Sequence, residues 1–139
     1  MNSPSRFSLF LSSLPKYAPI VLRLGLTAVY VWFGVSQLVN AGAWTGLVPS
    51  WAISLSGMQA STIVHLNGIF EVLAALLLAC GVYVRWIALI LALHLFIITS
   101  HLGLSAIGVR DFGLSFATLA LALFGDDEYC LTSKTEEKK

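Results

Sequence analysis

Four long apolar runs divide the chain, separated by short breaks of glycine, proline and polar residues. A helix needs roughly 20 mostly apolar residues to cross a bilayer, and that criterion places spans at about 19–39, 61–84, 86–104 and 105–124. Pro15 and Pro19 suit the start of the first span, since a first turn tolerates the missing N–H. Gly103 ends the third span, and Gly125 followed by Asp126, Asp127 and Glu128 closes the fourth. From Phe112 to Gly125 the fourth span would reach only about 21 Å at ~1.5 Å per residue. Crossing ~30 Å of hydrocarbon therefore puts Arg110 and Asp111 in or close to the bilayer.

Helical spacing sorts the polar residues inside these spans onto faces. Arg23, Thr27, Tyr30, Gly34 and Gln37 follow steps of four and three along the first span and make one stripe. Asn67, Gly68, Glu71, Ala74 and Ala75 form a small and polar face on the second. His94 and His101 share a face of the third with about 10.5 Å of rise between them. Asp111, Ser115, Thr118 and Ala122 repeat the pattern on the fourth. Small residues let membrane helices approach closely, and hydroxyls can bond across them. The pattern predicts an all-α integral membrane protein, an antiparallel four-helix bundle with a polar interior.

Composition agrees. The chain is 58% hydrophobic and 11% charged with a mean hydropathy of +0.86, far from the roughly 25% charged residues of soluble domains. A net charge of +1 without a basic patch gives no surface for nucleic acid. The divisions expected are an N-terminal segment 1–18, a four-helix domain 19–125 and a charged tail 126–139. The short apolar stretch from Phe7 to Leu14 reads as a segment lying against the headgroups and not as a cleavable leader. Arg6, Lys16, Arg23, Arg85, Lys134, Lys138 and Lys139 fall on the side of the termini, and Arg110 alone on the other. By the positive-inside rule both termini are cytoplasmic, in a multi-pass protein of the cell's inner membrane. The outer loop 40–60 carries no charge but holds Trp44, Pro49 and Trp51, and reads first as an aromatic surface anchor and second as a ligand lid. Cys80 and Cys130 lack C-x-x-C spacing and read as reduced bystanders.

Glu71 is the position that asks for a function. A charge at the centre of a span costs about 2.5 to 3.5 kcal/mol, so the carboxylate must face protein, water or a ligand. Depth places His94 beside it near the midplane, Asn67 somewhat further out, and Gln37, His65, His101, Arg110 and Asp111 in the outer third. Arg23 sits about one turn inside the cytoplasmic face, too far from Asp111 to pair with it, and can snorkel along its stem. Adjacent helical residues point about 100° apart. Asp111 is accordingly expected to bond inside the bundle to His65, His101 or Gln37, with Arg110 beside an outer cavity. No H-E-x-x-H or similar ligand spacing occurs, and no metal site is assigned.

Five short pieces taken together resemble the DoxX family of small four-helix membrane proteins. They are Arg23-Leu24-Gly25-Leu26, Trp32-Phe33-Gly34, Gly68-Ile69-Phe70-Glu71-Val72-Leu73, Gly81-Val82-Tyr83-Val84-Arg85 and Arg110-Asp111-Phe112-Gly113-Leu114. The resemblance covers most of 19–125, with Gln37 standing where the family commonly has lysine or a similar residue. It implies a membrane component of quinone or quinol redox chemistry, such as a small subunit of a quinol oxidase or a thiosulfate:quinone oxidoreductase. Relatives in the wider group are associated with assembly or cargo handling instead. For a quinone head group the candidate proton-exchanging residues are Glu71 and His94, and the candidate contacts are Gln37, Asn67, His101, Arg110 and Asp111. Electrons then come from a redox partner protein or a soluble substrate. The competing expectation is a non-catalytic scaffold or assembly factor. A solute carrier is the weakest, because four helices leave little room for an aqueous path unless the chain forms a homo-oligomer.

Overall fold

The computed structural model describes residues 6–132, the side chains of Ser8 and Leu9 excepted. Helix α1 (Arg6–Ser13) runs through the tight turn Leu14–Tyr17 into α2 (Ala18–Val39). A loop with two further short turns leads to α3 (Ser50–Ser56), and α4 (Ala60–Cys80), α5 (Val84–Leu102) and α6 (Ala106–Phe124) follow. Four helical stretches are long and apolar enough to cross a membrane: Phe10–Val39, Ala60–Cys80, Val84–Leu102 and Ala106–Phe124. The all-helical membrane bundle expected from the sequence is the fold observed.

The break between the second and third spans comes earlier than hydropathy suggests. Gly81 ends α4 in the left-handed region (φ 67°), with its N–H on the Leu78 carbonyl and the Val82 N–H on that of Leu77. Tyr83 is also left-handed (φ 46°), and α5 starts directly after it. The run Val82-Tyr83-Val84 is apolar throughout, so only the glycine marks the turn.

The bundle is two tight antiparallel pairs, α2 with α4 and α5 with α6, joined by lighter contacts between α4 and α5 and between α2 and α6. Within the first pair the backbones touch. A Cβ added at Gly68 would lie 2.8 Å from the Gly34 carbonyl oxygen, and one at Gly34 would lie 2.8 Å from that of Gly68. Lipid tails are as apolar as the side chains they replace, so close van der Waals fit of this kind, more than water exclusion, holds such helices together. Toward the terminal end the four helices share a dry core in which Tyr30, Leu78, Val84, Leu91 and Leu121 are fully buried. The Tyr30 hydroxyl meets the Thr118 hydroxyl at 2.9 Å and ties α2 to α6 across it. Leu73, Leu76, Leu93 and Leu123 face outward, as lipid contact requires.

The segment after α6 folds under this core. Gly125 turns the chain (φ 85°), and Asp127 is buried against Arg23, with the guanidinium Nε 2.9 Å from the carboxylate. Arg23 Nη1 also donates to the carbonyls of Leu78 (2.7 Å) and Ala79 (2.8 Å). Those carbonyls belong to the last turn of α4, where the i+4 donors of the helix run out, and the Leu78 carbonyl accepts from Arg23 as well as from the Gly81 N–H. Arg23 therefore does not snorkel; it is a buried cap and ion pair. Cys130 is fully buried against Gly81, where an added Cβ would lie 2.6 Å from the Cys130 Cα, and burial pushes its thiol pKa up. Thr132 closes the clasp by donating to the Gly81 carbonyl (3.2 Å). Lys134, Lys138 and Lys139, which enter the charge-asymmetry argument, lie outside the described residues.

The glycine contact is open to a direct check. Gly68→Val should lower the thermal midpoint of the protein in detergent by several degrees, because the added atoms meet backbone, not a flexible side chain. Gly25→Ala, where an added Cβ meets nothing within 4 Å, should leave it unchanged. Equal midpoints for the two variants would contradict the assignment.

Candidate functional site

On the loop side of the Gly34–Gly68 crossing lies a cavity of about 300 Å³. The crossing sets its polar floor. One turn past Gly34, Gln37 is buried on α2 and comes opposite Asn67 and Glu71, which flank Gly68 on α4. The Gln37 amide donates to one Glu71 oxygen (2.8 Å), and the Asn67 amide donates both to the other (3.1 Å) and to the Gln37 carbonyl (2.8 Å). The carboxylate, 3% exposed, is thus held by two neutral amides. Among the described residues the ion pairs are Arg23–Asp127 and Arg110–Asp111, and Glu71 belongs to neither.

His94 lines the same cavity from α5. Its ring packs edge-on against Phe70 (centroids 5.0 Å apart), and its Nε2 is buried without a hydrogen-bond partner. An imidazole nitrogen left unpaired in an apolar setting is costly, and this one belongs to a residue that lines the cavity. Glu71 and His94, assigned together from depth alone, do share one cavity. Phe33, Val64, Leu95 and Ile98 supply its apolar walls.

The loop between α2 and α4 closes the top. Trp44 is anchored to α2 by its indole N–H on the Ser36 hydroxyl (3.2 Å) and by an edge-to-face contact with Phe33 (5.7 Å, 90°). Pro49 and Trp51 at the start of α3 complete the cover, with Trp51 half exposed. The loop, read first as a surface anchor and second as a ligand lid, covers the cavity at this end. Its tryptophans were visible in the sequence, but spacing alone did not connect them to Glu71. Phe33 and Phe70 fall inside the family-like pieces, but nothing in their spacing marked them as neighbours of the cavity residues.

The remaining candidates are placed differently. Asp111 is buried and lines the cavity, yet its partner is Arg110, Nε to Oδ1 at 2.8 Å, and not His65, His101 or Gln37. The arginine stem is long enough to fold back across the 100° between neighbouring positions, and the guanidinium rests over the Phe33 ring at 4.9 Å. Gln37 is occupied by Glu71 and Asn67, and the exposed His65 bonds to the Ser61 carbonyl (2.7 Å). His101 is exposed and stands outside the lining of the cavity, although it shares a helical phase with His94. It sits in the last turn of α5, where neighbouring helices no longer cover that face. Among the described residues no three His, Cys, Asp or Glu side chains gather closely enough to hold a metal ion.

These features define a class: a multi-pass helical membrane protein with a buried carboxylate in a lidded apolar cavity. The sequence profile of the DoxX family matches residues 18–103, more than half of the chain, and the protein belongs to that family. The matched stretch holds Gln37, Asn67, Glu71 and His94, whereas Arg110, Asp111 and the clasp residues Asp127, Cys130 and Thr132 lie beyond it. No curated protein and no solved structure matches the chain.

The amide–carboxylate network predicts strong coupling. Gln37→Leu strands a buried carboxylate oxygen and should cost about 1–3 kcal/mol, whereas Gln37→Leu combined with Glu71→Leu should cost less than the sum of the two single changes. Reversible unfolding of the four members of this cycle measures the difference, and strict additivity would contradict the network.

Proposed function

We propose that the cavity receives the head group of a quinone or quinol and that the protein serves a quinone-linked oxidoreductase system. The observation that carries this reading is the pairing, in the lining of one apolar cavity, of a carboxylate without a cation and an imidazole nitrogen without a partner. A head group of this kind needs hydrogen-bond partners beside an apolar surface, and proton carriers within reach. It supplies two-electron redox chemistry when bound. In this reading His94 Nε2 bonds a ring oxygen once the imidazole turns toward the ligand, and Glu71 holds or releases a proton. The amides of Gln37 and Asn67 keep the carboxylate oriented, and Phe33 and Leu95 offer apolar surface to the ring. A redox partner protein is the source or sink of the electrons. The proposal includes residence in the inner membrane with the termini cytoplasmic, so that the lidded cavity lies toward the outer leaflet.

One observation favours a second reading, a membrane scaffold or assembly factor. Gln37, Asn67 and Glu71 satisfy one another and link α2 to α4, which fixes helix register without any ligand.

Gently purified protein should carry quinone at on the order of one molecule per chain, read by lipid extraction and mass spectrometry. Glu71→Gln should remain folded but lose quinol-dependent activity in membranes. Quinone-free protein together with full activity of that variant would favour the scaffold.

A further inference from the structure

Two residues that line the cavity, Ile97 of α5 and Trp51 of α3, are also 54% and 50% exposed, so this flank of the cavity lies at the surface of the bundle. Ile97 lies one helical turn beyond His94 on α5, with the half-buried Ile98 next to it and the half-buried Ile63 across on α4. The α4–α5 contact is one of the two light interfaces of the bundle. The terminal end offers no path, since Leu78, Val84, Leu91 and Leu121 are fully buried there and the Arg23–Asp127 clasp lies beneath. Ile97 stands five residues before the end of α5, about 7.5 Å along the axis, and therefore still at hydrocarbon depth.

We infer that the ligand enters sideways from the lipid between Ile97 and Trp51, and that it is an amphiphile whose long apolar chain leaves through the same mouth. This rests on the quinone reading and adds the ligand's second half. A space of about 300 Å³ holds a ring-sized head group, and the mouth lets a chain continue outward beside α5. Lipid surrounds the chain equally well before and after binding, so the mouth adds little affinity through apolar burial. Its role is steric: a ring bearing a chain seats only if the chain has a way out. The exposure of Ile97 sets which chains fit, which makes it a specificity-determining position.

The test compares a dimethoxy-methyl-benzoquinone with and without a ten-carbon chain, bound to protein in lipid nanodiscs. Ile97→Trp should weaken binding of the chain-bearing probe at least about tenfold and leave the chainless ring within about twofold. Leu93→Trp, equally lipid-facing on α5 but outside the cavity lining, should alter neither. Taking each variant relative to wild type cancels the probes' different partitioning into lipid. Wild-type protein should also be labelled at Ile97, Ile98 or Trp51 by a photoreactive group on the chain, a readout that needs no variant to fold. Binding of both probes with equal effects of Ile97→Trp on the two, or labelling confined to α2 and α6, would overturn the side entrance alone. Failure of wild type to bind either probe would overturn the quinone reading and this inference with it.

Discussion

The contact of α2 and α4 at Gly34 and Gly68 is the constraint on which the site depends. Only where two backbones approach this closely can a side chain as short as glutamine reach both a glutamate and an asparagine across the interface. A carboxylate near the middle of a membrane span would otherwise need a cation, a water-filled path or neutralisation. Here two amides supported by the glycine crossing meet that need, and one face of Glu71 stays directed at the cavity. The cavity opens beside this crossing, with Gln37, Asn67 and Glu71 in its lining. Packing and chemistry are thus consequences of one geometric choice.

The two ends of the bundle treat charge in opposite ways. At the terminal end Arg23 and Asp127 are buried together, and the arginine's remaining donors take up carbonyls at the end of α4, so little of its hydrogen-bonding capacity is idle. Such a pair adds little net stability over an apolar replacement, but removing one partner strands the other. Its evident effect is to fix the eight described residues after α6 under the core and seal that end. At the loop end Arg110 and Asp111 are joined to each other instead, half exposed on the arginine side and resting on Phe33. The tight end fixes the positions of the helices; the loose end leaves a lid, an exposed flank and an unpaired imidazole nitrogen.

The fold was legible in the sequence because the bilayer imposes length and periodicity that composition cannot hide. Steps of three and four identified Arg23, Tyr30, Gln37, Glu71, Asp111, Ser115 and Thr118 as interior, and all are buried. The same periodicity misled at His101, where phase matched His94 but the end of the helix had lost its neighbours. Arg110 escaped because a fixed angle between Cβ directions says nothing about where a flexible stem ends. The Arg23–Asp127 pair spans 104 residues of sequence, and no local pattern connects its halves. The lid was half legible: uncharged, tryptophan-rich loop sequence announces an interface, while the anchoring bond from Trp44 to Ser36 exists only once α2 is folded.

The account's central claim is that the Glu71 carboxyl faces the bound head group. Infrared difference spectroscopy of the protein in nanodiscs, recorded as a benzoquinone is added, observes that carboxyl directly. A carboxyl band should shift on binding in the wild type and be absent from the difference spectrum of Glu71→Gln. An identical difference spectrum from the two proteins, with quinone bound in both, would contradict the claim.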